Sequence, residues 1–146
     1  MPTKSEIYWL FGNSGAGKTT LAKQLQQHLP HSLLLDGDDL RTVWQLGFSK
    51  EDRYEQNIRA ARLAAIAAKQ GITVIVALIC PYRELRAQIS QQINPQWIYL
   101  PGGHPTTDEY PFEEPAGEAL VLKPIPGAGN LERVVQLIAP HTAYAQ

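Results

Sequence analysis

Residues Gly12 to Thr19 read Gly-Asn-Ser-Gly-Ala-Gly-Lys-Thr, the spacing G-x-x-x-x-G-K-[ST]. Each residue type in that pattern has a use. The glycines Gly12, Gly15 and Gly17 let the backbone curl until the N–H groups of Asn13, Ser14, Ala16 and their neighbours face phosphate oxygens. Lys18 sets a positive charge on the outer phosphates, and the hydroxyl of Thr19 can hold Mg²⁺. Thr20 continues the segment into a helix marked by Leu21, Leu25 and Leu29 at helical spacing. That helix would direct the positive end of its dipole at the bound phosphates. The chemistry implied is binding of a nucleoside triphosphate with Mg²⁺.

Moving a phosphoryl group needs a positioned acceptor and a home for its proton as well as neutralised charge. Asp36 and Asp38 flank Gly37 just after the apolar run Ser32–Leu35. In extended backbone the two carboxylates would point apart, and Gly37 permits a turn that brings both to the ligand. One would orient Mg²⁺ and the other accept the hydroxyl proton. The competing assignment is that Asp38 or Asp39 caps a helix beginning at Leu40. Arg41, Arg53, Arg59 and Arg83 are candidates to hold an anionic group on the acceptor. Arg62 and Arg86 read as solvated surface charges. Tyr54 and Tyr82 would either stack on a base or pack a helix on a sheet. Cys80, with no histidine beside it in sequence, reads as a small packing residue rather than a nucleophile. The four histidines show no metal-ligand spacing.

These residues need a frame. Apolar runs at Ile7–Phe11, Ser32–Leu35, Ile72–Ile79 and Gln96–Leu100 alternate with helical segments starting near Lys18, at Ser49 or Lys50, and at Arg83. The long alanine-rich helix ends before Gly71. Such alternation predicts a parallel sheet with helices on both faces. The motifs then fall after the carboxyl ends of the strands, where open parallel sheets bind ligands. Pro101–Pro115 holds four prolines and two glycines and reads as a loop. Leu120–Leu122 is a fifth strand candidate. Asn130 should cap a last helix bearing Leu131, Val134, Val135 and Ile138, with a loosely held tail after Pro140.

The 146 residues fit one domain. Thirteen basic and fourteen acidic residues give a net charge of −1, so no basic field exists to draw nucleic acid or an anionic membrane. Neither a leader-like start nor a spanning apolar run is expected. One cysteine excludes an internal disulfide and suits a cytoplasmic location.

Taken with their order, the segments Gly12–Thr20, Leu35–Arg41, Leu46-Gly47-Phe48-Ser49, Asp52-Arg53, Arg59 and Ile79–Arg83 resemble adenylylsulfate kinases, over about residues 7 to 93. The resemblance implies a P-loop kinase fold: three layers, α/β/α, around a parallel sheet of about five strands, as a single domain over 1–146. It implies transfer of the γ-phosphate of ATP to the 3′-hydroxyl of adenosine 5′-phosphosulfate with Mg²⁺, in sulfate assimilation. By the same resemblance Asp38 is the proton acceptor, with Asp36 and Lys18 as catalytic partners. Thr19 and Asp36 face the metal, and Asp38, Arg41, Phe48, Arg53, Gln56, Ile79 and Cys80 face the acceptor.

The departures lie on the acceptor side. Gln56 stands where the family usually has asparagine, and Leu78-Ile79-Cys80-Pro81 stands where it usually has Phe-Ile-Ser-Pro. Residues 101–118 replace a longer helical lid. A different phosphorylated or sulfated acceptor, or a nucleotide-binding regulatory protein without turnover, therefore stays open beside the adenylylsulfate reading. The partner expected is a small nucleotide, with a homodimer open as the assembly.

Overall fold

A computed structural model describes residues 6–122 and 129–142. The elements in chain order are β1 (Ile7–Phe11), α1 (Lys18–His28), β2 (Ser32–Asp36), α2 (Gly37–Trp44), α3 (Lys50–Lys69), β3 (Thr73–Ala77), α4 (Arg83–Gln92), β4 (Gln96–Tyr99), β5 (Ala119–Val121) and α5 (Asn130–Thr142). All five strands run parallel in the order β2-β3-β1-β4-β5.

The sheet is buried on both faces, which is why β1 and β3 carry apolar residues without alternation. Tyr8 and Leu10 pack with Leu21, Leu25 and Val134 under α1 and α5. Trp9 and Phe11 face the other way, with Ala60, Ala61, Ala64, Leu85 and Ile89 of α3 and α4. The alanines of α3 let that helix lie close to the sheet. This is the three-layer α/β/α arrangement expected from the strand–helix alternation.

Local chemistry sets the element ends. Ser49 caps α3, its hydroxyl accepting from Asp52 N at 3.1 Å. α2 starts earlier than the expected Leu40: it begins at Gly37, and Asp36 rather than Asp38 or Asp39 is its cap, accepting from Asp38 N at 3.3 Å. Gly37 is helical here and the turn falls at Asp36. The third strand is shorter than Ile72–Ile79, and the fifth is shifted by one residue from Leu120–Leu122. α5 includes Asn130 as its first residue and continues past Pro140 to Thr142. Residues 143–146 of the expected tail lie outside the described residues, as does the Ile138 side chain.

Candidate active site

The central strand β1 has β3 on one side and β4 on the other. Their carboxyl ends, with that of β2, open on one edge of the sheet. Asp36 sits beside Ala77 there because β2 pairs with β3 in that register. A cleft of about 160 Å³ lies on this edge. It is lined by Ser14, Gly15, Lys18 and Thr19 of the phosphate loop, by Asp36, Gly37, Asp38 and Arg41, by Phe48, Arg53 and Gln56, and by Ile79 and Cys80. Every residue expected to face the acceptor therefore borders one cavity with the phosphate loop. Arg59 and Arg83 do not. Arg59 pairs with Glu55 at 2.9 Å, and Arg83 donates to the Glu114 carbonyl at 2.6 Å.

The loop has the geometry of a cradle. Gly12, Gly15 and Gly17 all have positive φ, and Gly12 has no room for a Cβ against the Leu100 carbonyl. The Lys18 ammonium spans the loop, donating to Gly12 O at 2.9 Å and Asn13 O at 3.1 Å. Burial pushes its pKa down to about 8, against the opposing pull of Asp36 and Asp38. Thr19 Oγ1 donates to Asp36 Oδ1 at 2.7 Å. Asp36 is buried, whereas Asp38 is exposed and pairs with Arg41 at 3.0 Å. Gly37 thus leaves the two carboxylates on one cleft at different depths.

The acceptor side is held from behind. Gln56 is buried and donates to the Gly37 carbonyl at 3.2 Å. Phe48 is 59 % exposed, with the Arg41 guanidinium 4.3 Å from its ring centre. The Nε of Arg41 is buried without a hydrogen-bond partner among the described residues. Cys80 is fully buried, and burial raises its thiol well above the usual range, which agrees with a packing role. Tyr54 and Tyr82 stack on each other at 5.4 Å and pack against the α3–α4 side of the core.

Two features escaped sequence reasoning. Arg86, expected to be a solvated surface charge, is 1 % exposed. Its guanidinium lies 4.8 Å from the Phe11 ring centre, donates to the carbonyls of Cys80 and Glu113 at 2.7 Å each, and pairs with Glu118 at 3.5 Å. Arg86 lies on the buried face of α4 with Leu85 and Ile89; its charge, which ordinarily keeps arginine at the surface, misdirects the sequence reading. The second is the segment from Pro101 to Pro115. It has no helix and runs as a strap beside the cleft, tied to Asn13 and Arg53. A recess of about 260 Å³ lies between this strap, at Glu109, Tyr110 and Pro111, and Phe48, Arg53 and Ile79. Four spaced prolines and the Gly102-Gly103 pair announced a loop but not its docking.

Among the described residues no group of three or more His, Cys, Asp or Glu is placed to hold a metal, and no helix is long and apolar enough to cross a membrane. Comparison with known proteins places these observations. A sequence profile for adenylylsulphate kinase matches residues 4–100. The adenylyl-sulfate kinase of Myxococcus xanthus is 47 % identical over 88 residues, which are 57 % of this chain and 48 % of that protein. The chain spans about half the length of the curated relatives it matches. Among solved structures, the APS kinase of Mycobacterium tuberculosis in complex with AMPPNP and APS superposes with a TM-score of 0.72 at 25 % identity, over 94 % of this chain and 98 % of that one. A hexameric APS kinase from Thiobacillus denitrificans superposes with a TM-score of 0.67 at 27 % identity, over 97 % and 30 %.

Proposed function

Because the chain belongs to the adenylylsulphate kinase family, we propose that it transfers the γ-phosphate of ATP to the 3′-hydroxyl of adenosine 5′-phosphosulfate. The observation that carries this reading is the single cleft in which the phosphate loop meets Asp36, Asp38, Arg41 and Arg53. A mere nucleotide store needs the loop; it does not need a carboxylate and two arginines bordering the same space.

The roles follow from position. The loop amides and Lys18 hold the β- and γ-phosphates, and Lys18 exchanges its two carbonyl partners for phosphate oxygens. Thr19 Oγ1 and Asp36 Oδ1, 2.7 Å apart, are hard oxygen donors of the kind Mg²⁺ takes, and phosphates and water would complete its shell. Bound Mg²⁺ would neutralise charge on the transferring group. Asp38 stands clear of the buried Asp36 and receives the acceptor's proton. Arg41, with its unpartnered Nε, and Arg53 hold the acceptor's anionic end. A cytoplasmic location fits substrates of this kind.

The test is release of ADP from MgATP, followed with and without adenosine 5′-phosphosulfate. Acceptor-dependent release is expected. Its absence in protein that still binds MgADP would reject this acceptor and favour the second reading, a different sulfated or phosphorylated alcohol. Leu78 and Gln56 support that second reading, since both depart from the family on the acceptor side.

A further inference from the structure

The strap is fastened to the phosphate loop by a side chain whose position the phosphate pattern leaves free to vary. Asn13 is 5 % exposed. Its Nδ2 donates to the carbonyls of His104 at 2.9 Å and Tyr110 at 3.3 Å, and its Oδ1 accepts from Ser14 N at 2.9 Å. The backbone adds a second fastening, His104 N to Ser14 O at 2.7 Å. Gly103 fits so tightly that a Cβ would lie 2.7 Å from Ser14 O and 2.8 Å from Ala16 N, at a φ of +74°.

Beyond the fastening, the strap braces itself. Thr107 N donates to Tyr110 O and Tyr110 N to Thr107 Oγ1, each at 3.0 Å. The rings of His104 and Tyr110 stack with centres 3.8 Å apart. The far end is tied by Glu113 N to Pro81 O at 2.8 Å and by Arg86. Between these ties, the Glu109 carbonyl accepts from Arg53 at 3.3 Å. The strap therefore joins the loop that would hold donor phosphates to an arginine that would hold the acceptor.

We propose that Asn13 is a positioning residue for the acceptor. Its amide registers the strap against the phosphate loop, so that Arg53 and the walls at Glu109 and Tyr110 stand at a set distance from the donor. An acceptor anion competes with the Glu109 carbonyl for Arg53. The strap stays in place during that exchange because Asn13 holds it elsewhere. The proposal rests on the kinase reading for its acceptor, but the fastening itself can be measured without turnover.

Two variants attack the contact from opposite sides. Asn13→Leu removes both donors to the strap and adds no charge to the phosphate loop. Gly103→Ala forces the strap off Ser14 and Ala16. Three readouts separate the outcomes: amide hydrogen exchange in residues 102–111 against the β1 and β3 core, MgADP affinity by calorimetry, and KM for adenosine 5′-phosphosulfate. Both variants should speed exchange in the strap by about tenfold or more, the worth of one to two hydrogen bonds. They should raise acceptor KM by about the same factor, moving kcat less and weakening MgADP by clearly less than the acceptor. Unchanged strap exchange, or equal weakening of MgADP and acceptor, would overturn the proposal. If the unmodified protein binds MgADP but ignores this acceptor, the adenosine 5′-phosphosulfate reading fails, whereas unchanged strap exchange in the variants overturns the fastening whatever the acceptor.

Discussion

Asp36 and Asp38 show how two like residues one position apart come to differ. Asp36 is buried, caps α2 and accepts from Thr19. Asp38 lies one step into the helix and is exposed, with Arg41 as its partner. Asp36 is already committed to two contacts, whereas Asp38 is exposed on the same cleft and placed to meet an acceptor hydroxyl. Asp38→Asn should therefore lower kcat by roughly 10²- to 10⁴-fold while MgADP affinity stays near its original value, as single-turnover kinetics and calorimetry would show. An equal loss in both would move Asp38 out of the proton's path. Lys18 carries a second residue-scale prediction. Burial lowers its pKa from 10.5 to about 8, so between those values the unfolded chain holds a proton that the folded one lacks. From this group alone, stability rises with pH across that window, and below about pH 8 the buried ammonium costs stability. Bound phosphates restore the charge. MgADP binding at pH 9 should thus take up most of a proton, and at pH 6.5 this lysine should contribute none. Calorimetry in buffers of different ionisation enthalpy reads that difference directly; uptake that is the same at both pH values would contradict it.

At the scale of elements, the cleft is built from the segments that leave the strand ends, and the strength of the joints between them decides its shape. Arg86 on α4 is one of these joints. It links the turn after β3, through Cys80 O, to the strap, through Glu113 O, and burial lowers its pKa against the pull of Cys80, Glu118 and Glu113. Arg86→Met fills much of the volume but leaves both carbonyls without their donor. A loss of about 2–4 kcal/mol is expected, read as a lower urea midpoint, and a change under about 0.5 kcal/mol would show that water replaces the guanidinium. Arg86 also marks where sequence reading stops. β1, α1 and the phosphate loop were legible because their residues act through local spacing. The cleft residues from Asp36 to Cys80 were legible because their segments resemble a family in order. Arg86 and Asn13 reach the strap across 27 to 97 residues of sequence, and no local period records such a contact. The helix start at Gly37 was missed for a related reason: capping by Asp36 depends on where β2 ends, which pairing with β3 decides.

For the whole molecule, the site exists only when the sheet does. The phosphate loop comes after β1, the acids after β2, Ile79 and Cys80 after β3, and the strap after β4. With a net charge of −1 there is little long-range field to gather a polyanion, so affinity must come from amides and cations that only this assembly brings together. An unfolded chain then has almost no claim on the ligand, and binding energy appears in full as added stability. MgADP at about 100 times its dissociation constant should add about 2.7 kcal/mol. For a chain of this size that is a rise in Tm of roughly 5–10 °C. Lys18→Ala should fold and show no such rise, since the loop glycines shape the cradle but the ammonium supplies its charge. Adding adenosine 5′-phosphosulfate after MgADP should raise Tm further in the unmodified protein and much less in Asn13→Leu, because the acceptor's half of the cleft would have lost more of its register than the donor's half. If MgADP leaves Tm unchanged in folded protein, the four strand ends do not make a nucleotide site. A shift that survives Lys18→Ala intact would place the nucleotide elsewhere on the molecule.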